Sequence, residues 1–270
     1  MSLAYAKTYH RRRGTYAPAG VSLLDPVITL NGVAKSPLLQ YYGGDAGASA
    51  WAQQGVAGGS LAIAGAGGAP TLGVATCFAS DLGVTLAGGA GGKYYQSAGT
   101  TVGQVTTEDL VWELVIKHVT AGANHRLFQK STAGLVGWTI YHDAGSNKVY
   151  GYFHDGANTV LPTSPSAMVV GRYYHYFIYM DRSEASTNGC AIIMNGTAGT
   201  GVDPSALLTI TNAGHLTIGA AEDGSSNSDN TIVQCTMWSG AGWLAGGAGG
   251  AAAALALAQA RYAQLKGIGG

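Results

Sequence analysis

The sequence predicts an all-β protein: a two-sheet antiparallel sandwich with an extended N-terminal arm and a C-terminal helix. Three observations carry this. From Glu108 onward apolar and polar residues alternate with the period of two that strands require. Turn signals at Ala144-Gly-Ser-Asn147, Asn195-Gly196, Asp203-Pro204 and Asn212-Ala-Gly214 cut that stretch at the spacing of a sandwich. Past residue 244 the alternation gives way to an Ala-rich segment with Leu255, Ala258, Tyr262 and Leu265 at helical spacing.

Composition supports a large core in a weakly charged chain. Of 270 residues, 47% are hydrophobic and 10% charged, where about 25% charged is usual. The formal net charge is zero, so no global field favours nucleic acid or an acidic membrane, and association with other protein is favoured. The 43 glycines cluster at 43–44, 65–68, 88–92 and 246–250 without a G-X-Y period, which excludes collagen and marks tight turns and loops. Cys77, Cys190 and Cys235 are odd in number, and two of them fall inside strand patterns. A disulfide framework is therefore not expected. No apolar h-region follows Arg11 to Arg13, and no run of 18 strongly apolar residues exists. The expectation is a chain made in the cytoplasm without a membrane span.

In chain order, residues 1–36 read as an extended arm. Tyr5, Tyr9, Tyr16 and the Arg11-Arg12-Arg13 triplet alternate with Pro18 and Pro26 without helical period. Having no pattern with which to bury its own apolar surface, the arm is expected to lie on a neighbouring chain. Arg11, Arg12, Arg13 and Tyr16 are then its assembly contacts, because an Arg fork makes two hydrogen bonds at once. Residues 37–243 form the sandwich. Pro37 to Tyr42 is a first strand, and Gly83 to Ser97 reads as strand, turn, strand. Leu110, Trp112, Leu114, Ile116 and His118 share one face of the next strand. Val111, Glu113, Val115 and Lys117 share the other, mixed face, where Glu113 alternates with Lys117 as on a solvated surface. Val136–Tyr141 and Lys148–Phe153 pair as a hairpin. Trp112, Leu114, Ile116, Ile192 and Val233 are the expected core. Residues 244–270 are a Gly/Ala-rich linker and the helix, stopped by Gly267.

Four segments in a fixed order carry a family resemblance: Gly171-Arg-Tyr-Tyr-His-Tyr-Phe-Ile-Tyr-Met-Asp181, Cys190-Ala-Ile-Ile-Met-Asn-Gly196, His215-Leu-Thr-Ile-Gly219 and Thr231-Ile-Val-Gln-Cys-Thr-Met-Trp238. Over residues 37–266 the chain resembles laminin-G-like, concanavalin-A-like jelly rolls. Ala260-Arg-Tyr-Ala-Gln-Leu265 is similar to the C-terminal helix of phage-encoded members. The fold serves lectins, hydrolases, adhesion modules and virion parts, so the resemblance sets architecture more firmly than chemistry.

Enzymatic readings find little support. Glycoside hydrolysis needs two carboxyl groups across a scissile bond, and glucanases of this fold carry Glu-x-Asp-x-x-Glu. The chain has four glutamates, Glu108, Glu113, Glu184 and Glu222, none in such a motif. Gly88 to Lys93 lacks the spacing and the Ser or Thr of a phosphate loop, and there is no Gly-x-Ser-x-Gly elbow. His142-Asp143 and His154-Asp155 read as polar strand ends rather than zinc ligands, which come in closer sets. Calcium is the one cofactor considered, since laminin-G-like domains often bind it at a sandwich rim. The loop Glu222 to Asn230 offers oxygens, with Asp223 and Asp229 as candidate ligands, yet its spacing departs from the EF-hand and such loops are common as plain turns. Tyr94 and Tyr95 are the candidate stacking faces for a glycan, whereas Tyr173, Tyr174 and Tyr176 read as core.

The expected function is that of a non-enzymatic structural component of a phage virion, a capsid decoration or other surface protein. Its partners would be copies of itself or other capsid or tail proteins. The alternative is a carbohydrate-binding adhesin of a phage tail that recognises host-surface glycans.

Overall fold

In the computed structural model the two-sheet antiparallel sandwich is present. The structure describes residue 24 and residues 26–268, apart from residue 48 and short segments at 78–81, 87, 89–91, 121–122, 133–135, 241–243 and 245–246. Its strands are β1 (Ile28–Leu30), β2 (Val33–Lys35), β3 (Leu39–Tyr42), β4 (Ala50–Ala52), β5 (Ser60–Ala64), β6 (Thr71–Ala75), β7 (Leu82–Thr85), β8 (Tyr94–Ser97) and β9 (Asp109–Lys117). They continue with β10 (His125–Ser131), β11 (Gly137–Asp143), β12 (Lys148–His154), β13 (Thr159–Val160), β14 (Tyr173–Met180), β15 (Cys190–Met194), β16 (Thr197–Ala198), β17 (Leu216–Ile218) and β18 (Thr231–Gly240). Helix α1 (Gly247–Ile268) follows.

The first sheet runs β16-β15-β14-β9-β18-β7-β6, with β3 also on β18; the second runs β13-β12-β11-β10-β17-β8-β5-β4. Two turns explain local joints. Asn195 and Gly196 both take positive φ, 51° and 78°, and join β15 to β16 as a type I′ turn. Asn31 and Gly32 do the same between β1 and β2, at 48° and 79°.

Alternation on β9 and its neighbours fills the space between the sheets. Trp112 stacks on Phe153 at 4.9 Å and leans on Trp138 at 5.6 Å, while Trp138 meets Phe128 edge-on at 4.9 Å. Leu114, Ile116 and Ile192 join this cluster, all fully buried. Burying each such side chain is worth roughly 1.5–3 kcal/mol. Val233 does not join it. The register slips between Ile232 and Gln234, and that bulge turns Val233 to the outer side, against Val115, Leu24 and Leu265.

The outer face of the first sheet corrects the expectation of a solvated Glu113. A second apolar layer covers that face: Ile28 and Leu30 of the β1–β2 hairpin and Ala254 and Ala258 of α1 pack on Val111, Phe177, Ile193 and Trp238. Glu113 lies beneath the helix and is fully buried. Arg261 Nε donates to Glu113 Oε1 and Arg261 Nη2 to Oε2, both at 2.6 Å. His175 Nε2 lies 2.7 Å from Oε1, and Gln234 Nε2 donates to Oε2 at 3.2 Å. The hairpin also moves the boundary of the arm. Residues 28–35, expected in the arm, pack on their own sandwich, and Trp238 Nε1 donates to the Pro26 carbonyl at 2.9 Å. Arg11, Arg12, Arg13 and Tyr16 lie outside the described residues.

Burial by itself would raise the pKa of Glu113, but Arg261 and His175 pull it down to about 2. A depressed carboxylate adds stability above its unfolded value that is lost as pH falls toward 2. Removing one partner of a buried pair costs about 3–5 kcal/mol, because the other charge is left uncompensated. Arg261→Met should therefore lower stability by that amount in urea titrations, and adding Glu113→Leu should recover much of it. A single substitution within 1 kcal/mol of wild type would contradict the arrangement.

Candidate functional site

The second sheet keeps part of its outer face open, and the period of two decides what stands there. On β10, β11 and β12 the inward positions hold Phe128, Trp138, Ile140, Val149 and Phe153. The intervening positions present Arg126, Tyr141, Asp143, Tyr150 and Tyr152 outward. Register lines them up: Arg126 opposes Tyr141, and Tyr141 opposes Tyr150. The Tyr141 and Tyr150 rings stack at 5.5 Å and 21°, and the Arg126 guanidinium sits 4.8 Å over the Tyr141 ring.

Beside them lies a cavity of about 240 Å3 lined by Asn124, Arg126, Tyr141, Asp143 and Tyr152. Hydrogen bonds hold its polar rim. Asp143 Oδ2 accepts from Ser146 N and Oγ, both at 2.8 Å, which lowers the pKa of its carboxyl group. Asn124 Oδ1 accepts from Ala144 N at 2.9 Å. Among the described residues Arg126 Nε, which is buried, has no hydrogen-bond partner. Burial lowers the pKa of its guanidinium, opposed by Tyr141 and Asp223, yet an arginine stays charged under any physiological condition. The site thus offers half-buried aromatic faces, a carboxylate acceptor and a cationic donor.

The tyrosines expected to stack a glycan are not these. Tyr95 points into the sandwich, fully buried, with its ring 4.9 Å from Trp51 and its hydroxyl donating to Gly47 O. Tyr94 is on the outer face but is 6% exposed, because the loop of Glu222 and Gly224 closes over it. Adjacent residues on a strand take opposite faces, so a Tyr-Tyr pair cannot present both rings. The alternating Tyr150-x-Tyr152 pattern is the sequence signal for the rings that face outward.

The candidate calcium ligands have separate partners. Asp223 Oδ1 accepts from Ser225 N at 2.9 Å, whereas Asp229 Oδ2 accepts from Thr120 Oγ1 at 2.6 Å. Among the described residues no group of three His, Cys, Asp or Glu side chains is placed to hold a metal ion. The glutamates serve the fold: Glu108 accepts from Thr106 N, Glu222 from His215 N and Glu184 from Ser186, and Glu113 lies under the helix. Asp155 accepts from the amides of Ala157, Asn158 and Leu208, and His154 Nδ1 lies 2.8 Å from Asn158 O. Among the described residues Asp143 is the one carboxylate lining the cavity, and they do not assemble the carboxyl pair of a glycosidase there. No described helix is long and apolar enough to cross a membrane.

No family model and no curated protein matches the sequence. Solved structures do resemble the fold. The binding domain of botulinum neurotoxin serotype G superposes with a TM-score of 0.53 at 9% identity, over 75% of this chain and 47% of that one. The serotype D ligand-binding domain in complex with N-acetylneuraminic acid gives 0.53 at 10%, over 75% and 47%. The binding domain of botulinum neurotoxin DC in complex with rat synaptotagmin II gives 0.51 at 12%, over 75% and 48%. The chain spans about half the length of these structures, and at such identity the likeness is one of fold.

Core and platform tyrosines should separate in stability measurements. Tyr95→Ala should cost about 3–5 kcal/mol, as large-to-small changes in a core do, and Tyr150→Ala less than about 1 kcal/mol. Equal costs in thermal or urea unfolding would contradict the assignment.

Proposed function

We propose that the chain is a non-enzymatic carbohydrate-binding module whose outer tyrosine face takes a sugar of a surface glycan. One observation carries this: Tyr141, Tyr150 and Tyr152 are held open on a rigid sheet around a cavity furnished with Arg126, Asp143 and Asn124. Sugar rings present apolar C–H faces and hydroxyl edges, so they suit an aromatic plane bordered by one acceptor and one donor. Aromatic bodies with polar tips suit such half-wet contacts. Binding domains of the same fold supply support, one in complex with N-acetylneuraminic acid and one with the protein synaptotagmin II.

In this reading the Arg126 guanidinium, which lines the cavity, donates to ligand oxygens, and Asp143 accepts from hydroxyls. A glycan array followed by calorimetry tests it. Tyr141→Ala and Arg126→Gln should each weaken a bound glycan by about tenfold or more, equivalent to ~1.4 kcal/mol, while leaving the melting temperature within a few degrees. Unchanged affinity in both variants would refute the site. No hydrolysis of the bound glycan should be seen, and turnover abolished by Asp143→Asn would refute the non-enzymatic reading.

A place in a phage virion is a second proposal, supported by the sequence resemblance. The Ala260-Arg-Tyr-Ala-Gln-Leu265 segment, which resembles the C-terminal helix of phage-encoded laminin-G-like chains, is here the part of α1 that carries Arg261 onto Glu113. A tail-borne module would unite both readings, with Arg11 to Arg13 meeting virion partners. In a particle reconstruction, hundreds of copies on a lattice mean decoration and a few at a tail tip mean adhesion. Absence from particles overturns the proposal.

A further inference from the structure

Three histidines meet inside one end of the sandwich, outside the residues used so far. His118 follows β9 of the first sheet, while His125 and His142 oppose each other on β10 and β11 of the second. All three are at most 3% exposed. The His118 and His142 rings meet edge-on at 4.6 Å, and those of His125 and His142 stack at 5.5 Å. His118 Nδ1 lies 3.1 Å from Asn230 Oδ1, which also accepts from Val119 N, and His125 Nδ1 lies 2.9 Å from Asn227 O. Both acceptors call for a proton on Nδ1, which leaves Nε2 of each ring as a lone pair. Among the described residues neither Nε2 has a partner, and neither nitrogen of His142 has one in good geometry, although Asn147 and Ala123 lie near enough to favour its charged form slightly. Two carboxylates lie near the cluster: Asp229, 3.7 Å from His125 Nδ1, and Asp143, next to His142 in the chain and held charged partly by it; Asn147, Asn227 and Asn230 bring only neutral amides.

We infer that this cluster is an acid-sensitive latch between the sheets, shut while His118 and His142 are neutral and opened when they take up protons. Three rings this close cannot all take up charge in a buried space, because Asp229 and Asp143 stand at its edge, half-exposed and already engaged with Thr120 and Ser146. Burial and the neighbouring rings push His142 down to about 4, and burial with His125 lowers His118. The sign follows. A histidine whose folded pKa is depressed leaves stability intact above about 6.5, its unfolded value, and removes it as pH falls toward 4. The acid response of Glu113 lies lower, near 2.

Opening would reach the outer cavity through the strands themselves. His125 precedes Arg126, and His142 stands between Tyr141 and Asp143, so any shift of these backbones moves the cavity wall. That coupling rests on the glycan-binding reading; the latch does not.

Hydrogen exchange and thermal melting of the full chain between pH 7.5 and 4.5, without ligand, test the latch. Protection factors at residues 125–127, 140–142 and 226–230 should fall about tenfold or more between pH 7 and 5, a tenfold factor being one pKa unit of differential proton binding. His142→Gln should reduce that fall to threefold or less. Flat protection in the wild type, or an undiminished fall in the variant, overturns the proposal. Should His142→Gln fail to fold, the ring protons of the native chain decide by NMR: His142 titrating below pH 5.5 supports the latch, and titration at or above that value overturns it. Failure of glycan binding with a working latch would count against the site alone.

Discussion

The structure depends on one buried carboxylate. Glu113 stands at the middle of β9, the strand that β14 and β18 flank, and it faces away from the space between the sheets. An unpaired charge there would be prohibitive, so the sheet needs a cationic partner from elsewhere in the chain. Arg261 provides it in two-pronged geometry from α1, with Trp238 under its guanidinium at 5.5 Å and Tyr262 stacked over His175. The pair contributes less by its own energy than by specifying where the helix lies. An Ala-rich helix has little shape of its own to fix its position on a sheet. A buried ion pair that is satisfied in one arrangement supplies that register.

With the outer face of the first sheet closed by α1 and the β1–β2 hairpin, the open face belongs to the second sheet. The inner sides of β10 to β12 are committed to Trp138, Phe128 and Phe153, which fixes every outward side chain by the pleat. Gly151 belongs to the same logic. A Cβ there would come within 2.8 Å of the Phe153 ring, so a glycine between Tyr150 and Tyr152 lets the core aromatic seat while both tyrosines stay outside. The platform is therefore as rigid as the core beneath it, and a binding surface built this way loses little entropy when occupied.

Much of the polar chemistry that looks functional serves the fold. Lys130 is buried with its amine on the carbonyls of Thr100 and Gly214, at 2.6 Å each, and burial lowers its pKa to about 8. Asp155 and Asp143 tie turns. Glu113, Lys130 and Arg261, which enter the interior, are each placed by two or more hydrogen bonds, as the cost of burial requires.

Period and turn chemistry, which are local, were legible in the sequence. They determined β9, β14, β15, β17 and β18, the β11–β12 hairpin, the Asn195-Gly196 turn and the inward set of Trp112, Leu114 and Ile116. Helical spacing located α1. What the sequence could not determine was which of two plausible faces meets solvent. Alternation says that Glu113 and Leu114 face opposite ways; it does not say that a helix about 150 residues later covers the polar one. The bulge that turns Val233 outward, the loop that covers Tyr94 and the meeting of His118, His125 and His142 are likewise products of contacts between segments far apart in the chain. Tertiary structure decided these because burial depends on what else packs nearby, and a local pattern carries no record of that.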